Sequence, residues 1–366
     1  MDFAFNEEQQ MLRDQARSFL ADKFAEDRVV ELAQSDEGWD SGSWTEIANL
    51  GWLGLSSPEE LGGAGMGFLE ETVLFEELGS ALAPVPYLAT VGLCLPALES
   101  SPELLGQAVS GEATFTLAWA EPTGSALLRD AGNDPETKAE GSNGSWSLTG
   151  EKTLVPDLGL VSHVLVTART SDGVGIWVVK KEDATPNSLS TLDTTRRYGT
   201  LSLAGTPATL LVDTAGTPEV LERIRLRVLA ALAVEAVGVA QKALEFAETH
   251  AKERTQFGKP IGSYQAVSHQ VADSYVSVEL ARSLSYWAAW CVAENDPQAS
   301  TAAAAAKAVA AEAAVQNSER AIQVLGGIGF TWEHFAHRLY KRAQWIDSFE
   351  GFGTVHRAQV ADAVLG

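Results

Sequence analysis

Four stretches of the chain carry side chains whose types and spacing could do chemistry. WIDSFEGFGTVHR, residues 345–357, places one carboxylate, Glu350, between Phe349 and Gly351, with Phe352 and Gly353 following. Such a Glu is either a solvated turn residue or a base kept from water, where burial disfavours its charge and makes it a better proton acceptor. ERTQFGKPIGSYQAV, residues 253–267, sets Arg254 and Lys259 at a Gly-Lys-Pro-Ile-Gly turn between two helical runs. An Arg fork and the free N–H groups of a starting helix match phosphate oxygens, so this turn reads as a diphosphate site. It reads equally as a helix–turn–helix corner whose Arg caps the first helix. AIQVLGGIGFTWEHFAHRLYKRAQ, residues 321–344, puts Gln323 near the Gly326–Gly327 pair. That pair either lets a flat group or a second chain approach the backbone, or ends a helix. LAWAEPTGS, residues 117–125, and WSLTGEKTLVPD, residues 146–157, are strand ends entering polar turns.

Composition narrows the partners. The chain has 366 residues, 45% hydrophobic and 20% charged, enough for two or three domains with real cores. Its net charge of -23 argues against nucleic acid and anionic membrane, so an anionic ligand needs a locally positive pocket. Two distant cysteines, Cys94 and Cys291, fit a reducing cytoplasm and exclude a disulfide scaffold. The start MDFAFNEEQQML lacks a signal-peptide pattern. The longest apolar run is interrupted by Glu235, so no membrane span is expected. His334 and His337 lie three apart without a carboxylate or cysteine framework, and no metal site is expected.

The elements that position these residues fall into three zones. Residues 1–112 read as a helical domain, with an Asn6–Gln9 capping box and Leu12, Ala16, Phe19 and Leu20 on one face. Residues 113–216 read as short β-rich runs punctuated by Gly, Asn, Asp and Pro, a middle antiparallel β domain. Residues 217–366 read as a C-terminal four-helix bundle. Its first helix is apolar nearly all round and ends near Arg254, and a second begins at Ser263. A third carries an alanine run that suits close helix packing. Helices, a small β domain, then helices make an α+β chain. LGGIGF follows a helix and is not GxGxxG, so a Rossmann site is rejected.

In order, AEPTGS, LTGEKTLVPD, RTQFGKPIGSYQ, QVLGGIGF and Glu350-Gly351 resemble the acyl-CoA dehydrogenase family over essentially the whole chain. The resemblance implies FAD between the β domain and the bundle, with its adenosine diphosphate reaching a neighbouring subunit. Arg254 and Gln256 match positions that meet the FAD diphosphate, and Phe257 and Gln265 match positions at the adenosine end. Gln323, Gly326 and Gly327 match the loop that receives the diphosphate from the other side. Trp119, Ala120, Ser125, Leu154 and Pro156 match positions near the flavin ring. Glu350 matches the catalytic base, with Phe349 and Gly351 on the substrate side. The alternative base position, near Val228, cannot take a proton, and Glu235 lies on another turn and reads as a structural carboxylate.

The implied reaction is α,β-dehydrogenation of an acyl-CoA thioester, with a Glu350 of raised pKa removing the α-proton. A flavin ribityl hydroxyl and the Glu350 backbone N–H would hold the enolate-like oxygen. The implied acceptor is an electron-transfer flavoprotein, and the implied assembly a homotetramer or a heterotetramer with a paralogous subunit. The sequence departs from the pattern at Ala120, Leu154, Pro156, Phe352 and Leu229, and is more similar to the divergent actinobacterial members of steroid and unusual acyl-CoA breakdown. An acyl-CoA oxidase, a flavin monooxygenase or a low-activity structural subunit are the alternatives on the same scaffold.

Overall fold

The computed structural model of the protein describes residues 5–142 and 144–366. Helices α1 (Glu7–Lys23), α2 (Glu26–Gln34), α3 (Ser41–Asn49), α4 (Phe68–Ala81), α5 (Leu93–Leu98) and α6 (Pro102–Val109) come first. Strands β1 (Phe115–Ala118), β2 (Lys138–Ser142), β3 (Ser145–Pro156), β4 (His163–Thr170), β5 (Gly173–Lys180), β6 (Thr185–Leu189) and β7 (Tyr198–Val212) follow. Then come α7 (Thr217–Glu253), the two-residue strands β8 (Thr255–Gln256) and β9 (Lys259–Pro260), and helices α8 (Gln265–Ala293), α9 (Ala299–Leu325), α10 (Ala336–Ser348) and α11 (Gly353–Leu365). The helix–strand–helix order is the one the composition shifts predict. By contact the chain divides into two compact units, Met1–Val30 with Phe68–Ala83 and Leu229–Gly366, and Glu31–Gly67 with Pro84–Val228.

The first unit is helical and is built around charges that have left water. Its N-terminal helix starts with the expected capping box: Gln9 N–H donates to Asn6 Oδ1 at 2.8 Å, and Asn6 N–H donates to Gln9 Oε1 at 3.1 Å. Helix α4 carries three buried carboxylates, Glu71, Glu76 and Glu77. Glu76 accepts from Tyr286 Oη at 2.7 Å and pairs with Arg13 of α1 at 3.2 Å and Arg282 of α8 at 3.3 Å. Burial pushes the Glu77 carboxyl up, although Arg17 sits 2.9 Å away. Helix α4 can lie against α7 because Gly238 faces it: a Cβ there would collide with the Glu76 carbonyl. Glu235, within α7, accepts from Arg342 of α10 at 2.6 Å, and both are almost wholly buried. The sequence reading of Glu235 as structural therefore stands.

Helix α9 is the alanine run. Ala302, Ala303, Ala304, Ala306, Ala310 and Ala311 are all buried, so small side chains bring neighbouring backbones close. Helices α8, α10 and α11 all contact it. Among the described residues no helix is long and apolar enough to cross a membrane.

The second unit holds the β domain. Strands β2 and β3 form an antiparallel hairpin, as do β4 and β5, and β3 and β5 each pair antiparallel with β7. The expected all-antiparallel sheet needs correction, because β4 pairs parallel with both β1 and β2. Short turns dictate direction only between consecutive strands. Strand β1 meets β4 after the β2–β3 hairpin intervenes, so no turn constrains that pair. The pairings β4–β2–β3–β7–β5–β4 close into a ring, which removes most exposed edges. Leu148, Val164, Val166, Trp177, Leu201 and Leu203 fill its core.

Breaking the Glu235–Arg342 pair from one side leaves a buried charge without its closest partner. Arg342→Met should cost about 3–5 kcal/mol, read from the urea midpoint. The double variant with Glu235→Leu should recover most of that loss. A single variant within about 1 kcal/mol of the parent would contradict a structural role for the pair.

Candidate active site

The turn after α10 departs from ordinary backbone at Glu350 and Gly351. Phe349 ends the helix, donating its N–H to Trp345 O at 3.0 Å and stacking its ring on Trp345 with centroids 4.9 Å apart. Glu350 follows at φ +60°, a left-handed conformation that costs an L side chain about 1–2 kcal/mol. Such strain persists only where the surroundings overdetermine it. Gly351, at φ +95°, closes the turn by donating to Ser348 O at 3.2 Å. Phe349 is buried, Glu350 is only 7% exposed, and Phe352 is half open to solvent.

Two side chains hold this turn from behind. Lys307 of α9 is wholly buried, with Nζ 3.4 Å from Asp347 O and 3.5 Å from Gly351 O. Burial pushes its ammonium down to about 8, and the charges of Asp347 and Glu350 act in the opposite direction. His356 of α11 is buried as well, its Nε2 3.1 Å from the same Gly351 O. Sequence reasoning missed both. The available signal was a single lysine inside an alanine run.

The basic turn is a tight hairpin. Helix α7 ends at Glu253, and β8 and β9 pair through a two-residue loop in which Phe257 (φ +52°) and Gly258 (φ +80°) are both left-handed. That is the pattern of a type I′ hairpin. A short 3-10 turn, Ile261–Ser263, precedes α8, which starts at Gln265 and not at Ser263 as expected. The helix is delayed because Tyr264, between the 3-10 turn and α8, is extended (φ -93°, ψ 132°) and serves as the N-cap. Arg254, Gln256, Phe257 and Gln265 are all exposed, and Phe257 is 92% so. Among the described residues no side chain bonds the Arg254 guanidinium, so its fork of donors is available. Lys259 Nζ lies 4.3 Å from the centre of the Tyr264 ring.

Gln323 is exposed in the last turn of α9, which Gly326 caps at φ +67°. A Cβ at Gly326 or Gly327 would meet nothing within 4 Å. An open left-handed glycine beside an exposed amide suits the close approach of a diphosphate. The uncommitted Arg254 fork suits the same group, so these residues fit the FAD diphosphate on chemistry as well as on resemblance.

The β-domain candidates are separable. Trp119 and Ser125 line a cleft of about 370 Å³ together with Glu121 and Thr123. Trp119 Nε1 donates to Ala126 O at 2.8 Å, and Leu127 N–H donates to Ser125 Oγ at 3.2 Å. Ala120 is buried, and its carbonyl accepts from Thr153 N–H at 2.9 Å. Leu154 is left-handed (φ +49°) and partly exposed, whereas Pro156 is buried and its carbonyl accepts from Thr116 Oγ1 at 2.6 Å. Neither lines that cleft. What orders the loop is an ion pair the sequence did not reveal. Lys152, wholly buried and pushed down to about 8 by burial, donates to Glu121 at 2.7 Å. Glu121 also accepts from Thr137 Oγ1 at 2.6 Å and Thr137 N–H at 3.0 Å. Lys152, with the Thr137 bonds, holds Glu121 below the usual carboxylate range against the opposing effect of burial. Among the described residues no group of three His, Cys, Asp or Glu is placed to hold a metal.

The arrangement has counterparts. The acyl-CoA dehydrogenase N-terminal domain matches residues 6–101, and the acyl-CoA dehydrogenase C-terminal domain matches residues 225–365. The acyl-CoA dehydrogenase IpdE2 of Mycobacterium tuberculosis is 33% identical over 92% of this chain and 91% of its own length. The solved structure of the ChsE4-ChsE5 complex from the same organism matches at TM-score 0.88 and 29% identity, covering 100% of this chain and 99% of that one. A variant of the Tcur3481-Tcur3483 steroid ACAD matches at TM-score 0.86 and 31% identity, covering 98% of each chain. The chain belongs to the acyl-CoA dehydrogenase family, and is an FAD-dependent oxidoreductase that dehydrogenates an acyl-CoA thioester between its α and β carbons.

Proposed function

We propose that Glu350 is the base that removes the α-proton. The observation that carries this is its buried turn: a Glu only 7% exposed, held left-handed between Phe349 and Gly351, is kept from water as a base against substrate has to be. The rival carboxylate on α7, Glu235, is committed to Arg342, and Val228 has no proton acceptor. Phe349 and Gly351 bracket the base: the ring excludes water, and the glycine lets backbone pass close to the thioester. The Glu350 backbone N–H is the proposed donor to the enolate-like oxygen as charge develops there. FAD, when bound, accepts the β-hydrogen as hydride, and the chain supplies position and field.

We infer that Arg254, Gln256 and Gln323, with the Gly326–Gly327 turn, hold the diphosphate of FAD, with Phe257 and Gln265 toward the adenosine. Trp119, Ala120, Ser125, Leu154 and Pro156 are proposed for the flavin-ring side. A cofactor shared across a subunit boundary requires assembly. Exposed apolar side chains support a tetramer, of this chain alone or with a paralogous subunit: Tyr275, Val276 and Leu280 on α8, and Phe330 (85%) and Trp332 beyond α9. The relative solved as a ChsE4-ChsE5 complex supports the mixed form, and the steroid ACAD supports a bulky polycyclic acyl group. A cytoplasmic location and an electron-transfer flavoprotein as acceptor complete the reading. Rapid reoxidation of the reduced flavin by oxygen would instead identify an oxidase.

Glu350→Gln should retain bound FAD, with an unchanged visible spectrum, yet lose flavin reduction by a competent acyl-CoA by roughly 10³-fold or more in anaerobic stopped flow. Reduction at the parent rate would remove Glu350 from the base's role. Arg254→Ala should weaken FAD retention by roughly 10- to 100-fold, the size of a charge-assisted contact, measured as flavin released on dilution. Equal retention would place the diphosphate elsewhere.

A further inference from the structure

We propose that Lys307 is the positioning residue of the active-site turn. Its buried ammonium draws the carbonyls of Asp347 and Gly351 onto α9 and favours the ionised form of Glu350 between them. The proposal rests on the reading of Glu350 as base for its catalytic meaning, though not for its physical content.

Three observations carry it. First, Lys307 has no business in its surroundings. It is wholly buried and lies among the buried alanines of α9, where a charge needs compensating partners. Second, its contacts fall on backbone on both sides of Glu350. Asp347 lies in the last turn of α10, so its carbonyl is one of the orphan acceptors at a helix C-terminus, where a cation is favoured. Gly351 O is shared with His356, so α9 and α11 grip the turn from two directions. Third, Glu350 and Asp347 are the groups whose charges act on the ammonium. The titratable groups around Lys307 are therefore Asp347 from α10 and Glu350 from the turn, whose charges act on it, and the His356 imidazole of α11, which shares the Gly351 carbonyl. The neighbouring Arg357 of α11 is engaged with Glu312 of α9.

Both effects serve one step. A base must be ionised before it can take a proton, and a left-handed Glu must not relax. An ammonium fixed under the turn secures both, and its effect on Glu350 grows as substrate excludes water.

The test is the titration of Glu350 itself, followed in the holoenzyme by the infrared band of the protonated carboxyl that Glu350→Gln deletes. Lys307→Gln keeps a donor near the two carbonyls and removes the charge. The Glu350 midpoint should then rise by roughly one pH unit or more, and the pH profile of single-turnover flavin reduction should move by the same amount. Lys307→Arg, which keeps the charge, should restore the midpoint. An unmoved midpoint in Lys307→Gln overturns the proposal, even if activity falls, since a purely structural lysine would lower the rate without moving it. Coupling between two sites is reciprocal, so the Lys307 midpoint, followed by carbon NMR of its ε-carbon, should fall by the same amount in Glu350→Gln. No fall overturns the proposal even if neither Lys307 variant folds. If Glu350→Gln reduces flavin normally, the base assignment fails while the two titrations still decide the role of Lys307.

Discussion

One constraint organises the helical unit: Glu350 has to be held in a backbone conformation it would not choose. Left-handed φ at a glutamate costs about 1–2 kcal/mol, and a turn flanked by glycine has few contacts of its own with which to offset that. The offset comes from neighbours. Trp345 stacks on Phe349, Ser348 accepts from Gly351, and Lys307 and His356 meet on the Gly351 carbonyl. Those last two groups come from α9 and α11, so the helices that form the bundle also set the geometry of one turn.

The same logic of buried charge recurs. Glu76 with Arg13 and Arg282, Glu235 with Arg342, and Lys152 with Glu121 each set a buried ion against a partner of opposite charge. Such pairs seldom add much net stability, because desolvation offsets most of the attraction. Their effect is to fix one arrangement, since any other leaves a charge without its partner. Where chemistry needs a base placed to within a fraction of an ångström, one fixed arrangement within the helical unit is worth more than a few kcal/mol of extra stability.

Much of this was legible in the residues. Asn6 and Gln9 announced a helix start and the alanines of α9 announced a packed face, whereas Glu350 read as either a solvated turn residue or a base until the family resemblance singled it out. The first two are local patterns with local causes. The parallel pairing of β1 with β4 was not legible, because those strands are joined through a hairpin that leaves their relative direction free. The hairpin at Phe257–Gly258 was hidden by a sequence that read simply as a turn between helices. Lys307 and Lys152 were hidden for a different reason. A lysine in sequence reads as solvated, and only the packing of α9, or the loop at Glu121, shows that these two are not. The residues that match family positions for FAD were found by resemblance. The free fork of Arg254 and the open glycines at 326–327 give them a physical reason.

All of this geometry serves one activity: the chain binds flavin and uses it to oxidise an acyl-CoA. The most direct measurement is the visible spectrum of the purified protein, repeated anaerobically as a panel of acyl-CoA thioesters from short straight chains to steroid-bearing ones is added. The expected result is a yellow protein bleached by one class of that panel, which would establish cofactor, half-reaction and substrate class together. A yellow protein that no acyl-CoA bleaches, or a colourless one that gains no colour with added FAD or with a paralogous subunit, would contradict it.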